Sequence, residues 1–140
     1  MILFQNHLVV LDYDPKTDIL FVEWPSLNAY DLLEIERTVN LLVDYIRNYD
    51  VKNLLIDSSH SQMHPDMDME AYMRIVTDFA LNLQKTRLER SASVVHVDKV
   101  RQEQSEKISE QVTQKVHLTI ESRNFTTREE GFRWLRGEEV

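Results

Sequence analysis

The sequence predicts a single α/β domain in the element order ββαβαβαβα, with a central, mostly parallel sheet opened by an antiparallel N-terminal hairpin and covered by helices. Three observations carry this. Two runs rich in β-branched and aromatic residues flank the turn-forming stretch "DPKTD". Short continuous apolar runs recur further on, as in strands covered on both faces. Amphipathic helical patterns separate them, and that alternation builds parallel sheets through right-handed crossovers.

Each element has its own signal. "HLVVLDY" (7–13) and "ILFVEW" (19–24) form the hairpin, and Pro25 and Ser26 end it. In "NAYDLLEIERTVNLLVDYIRNYD", Leu32, Ile35, Val39, Leu42 and Ile46 recur at three- and four-residue steps, which predicts an amphipathic helix of about five turns with Asn28 as N-cap. "NLLID" (53–57) reads as a central strand. A second helix starts near Pro65 to Asp68, where aspartates suit the first turn, and buries Tyr72, Val76, Phe79 and Leu83. "SVVHV" (93–97) is the next strand. The polar segment 99–114 carries only Val100, Ile108 and Val112 as an apolar stripe, so it predicts a weakly packed surface helix. "KVHLTIE" (115–121) alternates like a half-buried strand. The closing helix opens on a capping box, Thr126 to Glu129 or Thr127 to Glu130, and ends at Gly137.

Composition narrows the functions. The chain of 140 residues suits one domain, with no repeat, linker or low-complexity segment. It has no cysteine, which removes disulfides, thiolate metal sites and cysteine nucleophiles. The formal charge of -8, from 16 basic and 24 acidic residues, disfavours nucleic acid, whose phosphates need clustered Lys and Arg. The short basic run 85–90 reads as a solvated helix end. Two glycines leave no phosphate-cradling loop or dinucleotide fingerprint. "MILFQNHLVVLDYD" lacks a basic leader and a small-residue cleavage site, and no run approaches the roughly 20 apolar residues of a membrane span. A cytoplasmic protein without cofactors or membrane insertion is expected.

The densest chemistry lies in "LLIDSSHSQMHPDMD" (54–68). His60 and His64 with Asp57, Asp66 and Asp68 supply a ligand set of the zinc, iron or manganese kind. The spacing of four puts both imidazoles on one face only in a helix, and Pro65 with the preceding serines argues for a loop. A hydrolase triad from Ser58, His96 or His117, and Asp98 can be written down, but no spacing selects it and no glycine elbow holds the serine. Met63, Met67, Met69 and Met73 surround the second helix start. Such methionines can form an adaptable binding surface. Alternatively, Met69 and Met73 extend the buried stripe while Met63 and Met67 stay partly exposed in the loop.

The hairpin ending in "VEWPS", the strand "KNLLIDSS", the segment "RSASVVHVD" and the ending "VHLTIESRNFTTREEGFRWL" resemble the STAS domains, in their SpoIIAA-like (STAS/SEC14) branch. The resemblance spans nearly the whole chain. It implies a four- or five-stranded sheet with helices packed to one side, and regulatory bacterial proteins that bind a protein partner and are switched off by serine phosphorylation. Against the family's Asp-Ser-Ser/Thr-Gly run, "DSSH" (57–60) makes Ser58 and Ser59 the candidate phosphoacceptors, with His60 in place of the glycine. A phosphate there is best held at a helix start, whereas these serines precede the helix by several residues.

Three functions follow as expectations. The first is a non-catalytic regulatory or adaptor domain acting through a protein partner. Its surface would hold Asp57, His60, Met63, His64, Met67 and Met73, and a hairpin edge could support a homodimer. The second is a binding module for a small apolar or lipid-like ligand, with a cavity between the sheet and the first two helices. The third is a metal-dependent enzyme centred on His60, His64 and Asp57.

Overall fold

The computed structural model describes residues 1–139. Six strands form one sheet in sequence order: β1 (Ile2–Gln5), β2 (Val10–Asp14), β3 (Ile19–Glu23), β4 (Asn53–Asp57), β5 (Arg90–Val94) and β6 (Glu121–Phe125). The first three pair antiparallel and the rest parallel. The crossovers are α1 (Leu32–Asn48), α2 (Met69–Leu83) and α3 (Lys99–Lys115), and α4 (Arg128–Leu135) closes the chain. The α/β class and the order of the expected elements hold. β1 is one strand more than expected, added at the hairpin edge by "ILFQ".

Strand alternation divides the core into two layers. Leu11, Tyr13, Leu20, Val22 and Leu54 face α1 and α2. Ile19, Leu55, Ala92, Val94 and Phe125 point the other way, against Trp134 and Leu135 of α4. The STAS resemblance implies four or five strands with helices on one side, whereas this sheet has six and α4 covers the opposite face. Gly131 makes that packing close: a Cβ there would lie 2.8 Å from Leu55 Cδ1.

The caps explain the helix starts. Asn28 accepts from the Tyr30 amide at 3.1 Å and opens a 3₁₀ turn, Ala29–Asp31, that runs into α1. Asp68 and Asp98 cap α2 and α3 by accepting from the Ala71 and Arg101 amides at 3.1 Å. Thr127 accepts from the Glu130 amide at 3.2 Å and donates its hydroxyl to the Glu130 carboxylate at 3.0 Å. Helix α4 is thus capped at the second of the two expected Thr–Glu pairs, with the carboxylate on the threonine hydroxyl instead of the backbone amide. Gly137 leaves α4 at φ 84°, the left-handed conformation that ends helices.

Two strands lie elsewhere than expected. "SVVHV" contributes only its first two residues to β5, and His96 follows the strand end. The stretch 116–120 is not strand. Helix α3 runs to Lys115, and Gln84 then clasps the connecting chain, donating to the His117 carbonyl and accepting from the Thr119 amide and hydroxyl at 3.0 and 2.9 Å. The sheet resumes as β6, whose first four residues are exposed polar ones. That is an ordinary way to blunt an edge.

The stripe of α3 is a second correction. Val100 is 66 % exposed, whereas Arg101 is buried with Ile108 and Val112. Counting back seven residues, or two turns, from Ile108 reaches 101, so the helix phase places the guanidinium stem where an apolar side chain was expected.

Candidate functional site

All three crossovers lie over one face and the strand order never reverses. The sheet therefore lacks the switch-point crevice where doubly wound α/β folds bind ligands. The open space in this fold arises differently. On the α3 side, β5 presents Ser93 and β6 presents Asn124 instead of apolar side chains, and α3 answers with Ser105 and Ser109. Neither surface fills the gap. A cleft of about 220 Å³ remains, walled by Trp24, Ile56, Val76, Phe79, Ile108 and Leu118. It adjoins a polar vestibule of about 320 Å³ edged by Gln102, Glu106 and Asn124, and the two share Ser58, Ser93 and His96. The space between the sheet and α1 is by contrast filled, with about 10 Å³ left among Leu11, Val22 and Leu42. The cleft thus lies under α2 and α3, and not between the sheet and α1.

Two polar side chains in the cleft each leave nitrogen atoms without a hydrogen bond. Among the described residues, Arg101 Nε and Nη1 and His96 Nδ1 are buried without a hydrogen bond, and no carboxylate pairs with the guanidinium. Arg101 is 5 % exposed and His96 7 %. Burial lowers the Arg101 pKa, opposed by the adjacent Tyr72 hydroxyl. Burial also lowers that of His96, and the charge of Arg101 pushes the same way against the Ser61 carbonyl. Both effects disfavour a second positive charge beside the guanidinium. Tyr72 Oη accepts from Trp24 Nε1 at 3.1 Å, which leaves its own proton to donate, and Trp24 packs on Phe79 with ring centroids 6.0 Å apart.

The expected site residues scatter around this cleft. Asp57, the last residue of β4, points to the opposite face, where Arg128 joins it to Glu23. Burial pushes its carboxyl up, but the Ser59 hydroxyl and amide together with Arg128 outweigh this and hold it below the usual carboxylate range. Ser59 donates its only proton to Asp57 at 2.6 Å, so His60 Nδ1, 2.9 Å from the same oxygen, must donate to it. That is the reverse of a catalytic triad, in which the imidazole takes the serine proton. Ser58 lines the cleft and donates its amide to Val94. Nine residues, 60–68, separate Ser59 from the first residue of α2, so neither serine stands at a helix N-terminus.

His64 accepts from the Asp66 amide at 3.0 Å and is tied by its backbone to Leu27. His60 and His64 engage different partners, and among the described residues no three His, Asp or Glu side chains converge as metal ligands. Met67 is buried in the core, Met63 is half-buried in a bridge with Leu27, and Met69 is 40 % exposed. This inverts the expected division for Met67 and Met69, because the loop folds inward at 67 before Asp68 caps α2. Met73 is half-buried at an open groove of about 870 Å³ between α2 and α3.

Sequence reasoning missed Arg101, and considered His96 as a core or sheet-face residue or as the base of a triad that no spacing selects. The seven-residue step from Ile108 to Arg101 was the available signal. No family model, curated protein or solved structure matches the chain.

Proposed function

We propose that the chain is a non-catalytic binding domain that holds a small, partly apolar ligand in the cleft between α2, α3 and the sheet. The observation that carries this is an open cleft walled in part by Trp24, Ile56, Val76 and Phe79, beside a sheet–α1 layer that is filled. Interiors close at crystal-like density, and a pocket with apolar walls and a few polar groups is the usual form of a ligand site. At about 30 Å³ per water, the cleft has room for about seven waters, or for a chain of similar length in carbons.

The test is calorimetric titration with 1-octanol and octanoate, on the full chain and on Ser105→Phe, which fills the cleft from α3. Saturable one-to-one binding with a negative heat-capacity change, lost in the variant while its circular dichroism is unchanged, is the expected result. Absence of binding of either compound would end this reading.

A second reading, a regulatory adaptor for a protein partner, draws support from the α2–α3 groove. There Met69, Met73 and Ile108 lie between Arg74, Lys107 and Lys115 on one hand and Asp68, Glu70 and Asp78 on the other. Partly exposed methionines ringed by mixed charge suit an adaptable interface, and the STAS resemblance points the same way. The two readings are compatible, since α3 forms one wall of both spaces.

A further inference from the structure

We infer that the cleft is specific for a monoanionic ligand, a carboxylate on an apolar tail, with Arg101 as its anchor. This rests on the ligand-binding reading above and adds the chemistry of the head group.

The argument begins with a charge that has no counterion. A guanidinium is ionised at any physiological pH, and burying one without a partner is costly unless something supplies the missing acceptor. Arg101 is buried in the first turn of α3 with two nitrogens unsatisfied, and the Tyr72 hydroxyl is its hydrogen-bond neighbour. Beside it, His96 Nδ1 is also unpartnered, and the Tyr72 proton is not used by its contact with Trp24. Arg101, His96 and Tyr72 thus line one cleft, whose other walls join apolar side chains to a strip of four serines, Ser58, Ser93, Ser105 and Ser109. An oxyanion answers the guanidinium in the two-pronged geometry for which Arg is suited. A hydrocarbon tail answers Ile56, Phe79 and Ile108.

Charge selects the class of anion. The cleft holds one guanidinium, which a single negative charge balances and a phosphate dianion does not. The vestibule carries Glu106 and Glu110, and the chain as a whole is at -8, which further disfavours multiply charged ligands such as nucleotides. A carboxylate is monovalent at neutral pH, planar and small.

The test compares octanoate with 1-octanol, ligands with the same chain and different head groups, by calorimetry on the wild-type protein, Arg101→Met and Arg101→Lys. The expected result is a preference of at least about tenfold for octanoate in the wild type, equivalent to about 1.4 kcal/mol. Arg101→Met should erase that preference and leave octanol affinity within about twofold, whereas Arg101→Lys should keep part of it. Octyl phosphate should bind more weakly than octanoate at pH 8. Equal binding of octanol and octanoate by the wild type would overturn the anion assignment and leave the apolar cleft standing. So would a preference that survives Arg101→Met. Binding of neither would overturn both. If Arg101→Met fails to fold, Arg101→Lys and Tyr72→Phe, each expected to lower octanoate affinity severalfold without changing that of octanol, decide the matter.

Discussion

Replacing Arg101 by Met should make the ligand-free protein more stable, although it removes a large buried side chain from the interior. The guanidinium is 5 % exposed and lacks partners on Nε and Nη1. The effective penalty for such a buried ion is several kcal/mol. Against this stands the contact with the Tyr72 hydroxyl, about 1.5–3 kcal/mol for a hydrogen bond involving a charged group. Methionine keeps most of the apolar stem that Arg101 already buries, so the hydrophobic term changes by less than about 1 kcal/mol. The balance is a gain of about 1–2 kcal/mol, or a rise in Tm of about 3–8 °C for a domain of this size. Urea denaturation monitored by circular dichroism at pH 7.5 measures it.

Ligand should reverse the order. At 100-fold over its Kd, octanoate stabilises the wild type by about 2.7 kcal/mol, and Arg101→Met, binding more weakly, gains less. A ligand-free Arg101→Met that is less stable than wild type by 1 kcal/mol or more would refute the reasoning. The guanidinium would then be a satisfied structural group that holds α3, with no demand for a counterion.

Three further outcomes test the scaffold. Gly131→Ala should destabilise the fold by about 1 kcal/mol in urea, because the new Cβ meets the fully buried Leu55 at 2.8 Å and an overpacking cost of about 1–3 kcal/mol exceeds the helix-propensity gain of about 1. Combining it with Leu55→Val should relieve most of that cost, and a stabilised single variant would show that α4 packs elsewhere. For Asp57 the folded pKa lies below the unfolded value of about 3.9, so its contribution is fully present above that pH and is lost as pH falls through the folded value. The stability gap between wild type and Asp57→Asn should therefore be constant from pH 5 to 7 and narrow below pH 4, as read from urea midpoints. Ser59→Asp should lower stability by about 1–2 kcal/mol by facing a second carboxylate to Asp57 and removing a 2.6 Å hydrogen bond, and salt should reduce the loss.

Local pattern carried most of the fold because the elements agree with their own chemistry. Tyr72, Phe79 and Leu83 turn inward at helical spacing, Asn28 caps the 3₁₀ turn that leads into α1, and Gly137 ends α4. The errors fall where tertiary context decides. "KVHLTIE" alternates like a strand, yet its first residue completes α3 and Gln84 pins the loop that follows, contacts between residues more than 30 positions apart. Met67 turns inward because the Leu27–Met63 bridge draws the loop onto the core, and no local pattern encodes that bridge. The conspicuous polar run 57–68 is largely spent on holding itself: Ser59 on Asp57, Ser61 on Pro25, His64 on Asp66. The cleft was hidden because its decisive residue is a charged one in an apolar phase, and a polar helix reads as solvated throughout. Only the packing of α3 over Ser93 and Asn124 exposes the mismatch.

The two tryptophans allow a direct test. Trp24 walls the cleft and donates its indole N–H to Tyr72, whereas Trp134 lies on the opposite face of the sheet beneath Arg90. Titrating ¹⁵N-labelled protein with octanoate should shift the Trp24 indole resonance progressively to saturation and leave that of Trp134 in place. A spectrum in which Trp24 does not move, or in which both indoles move together, would contradict a ligand site beneath α3.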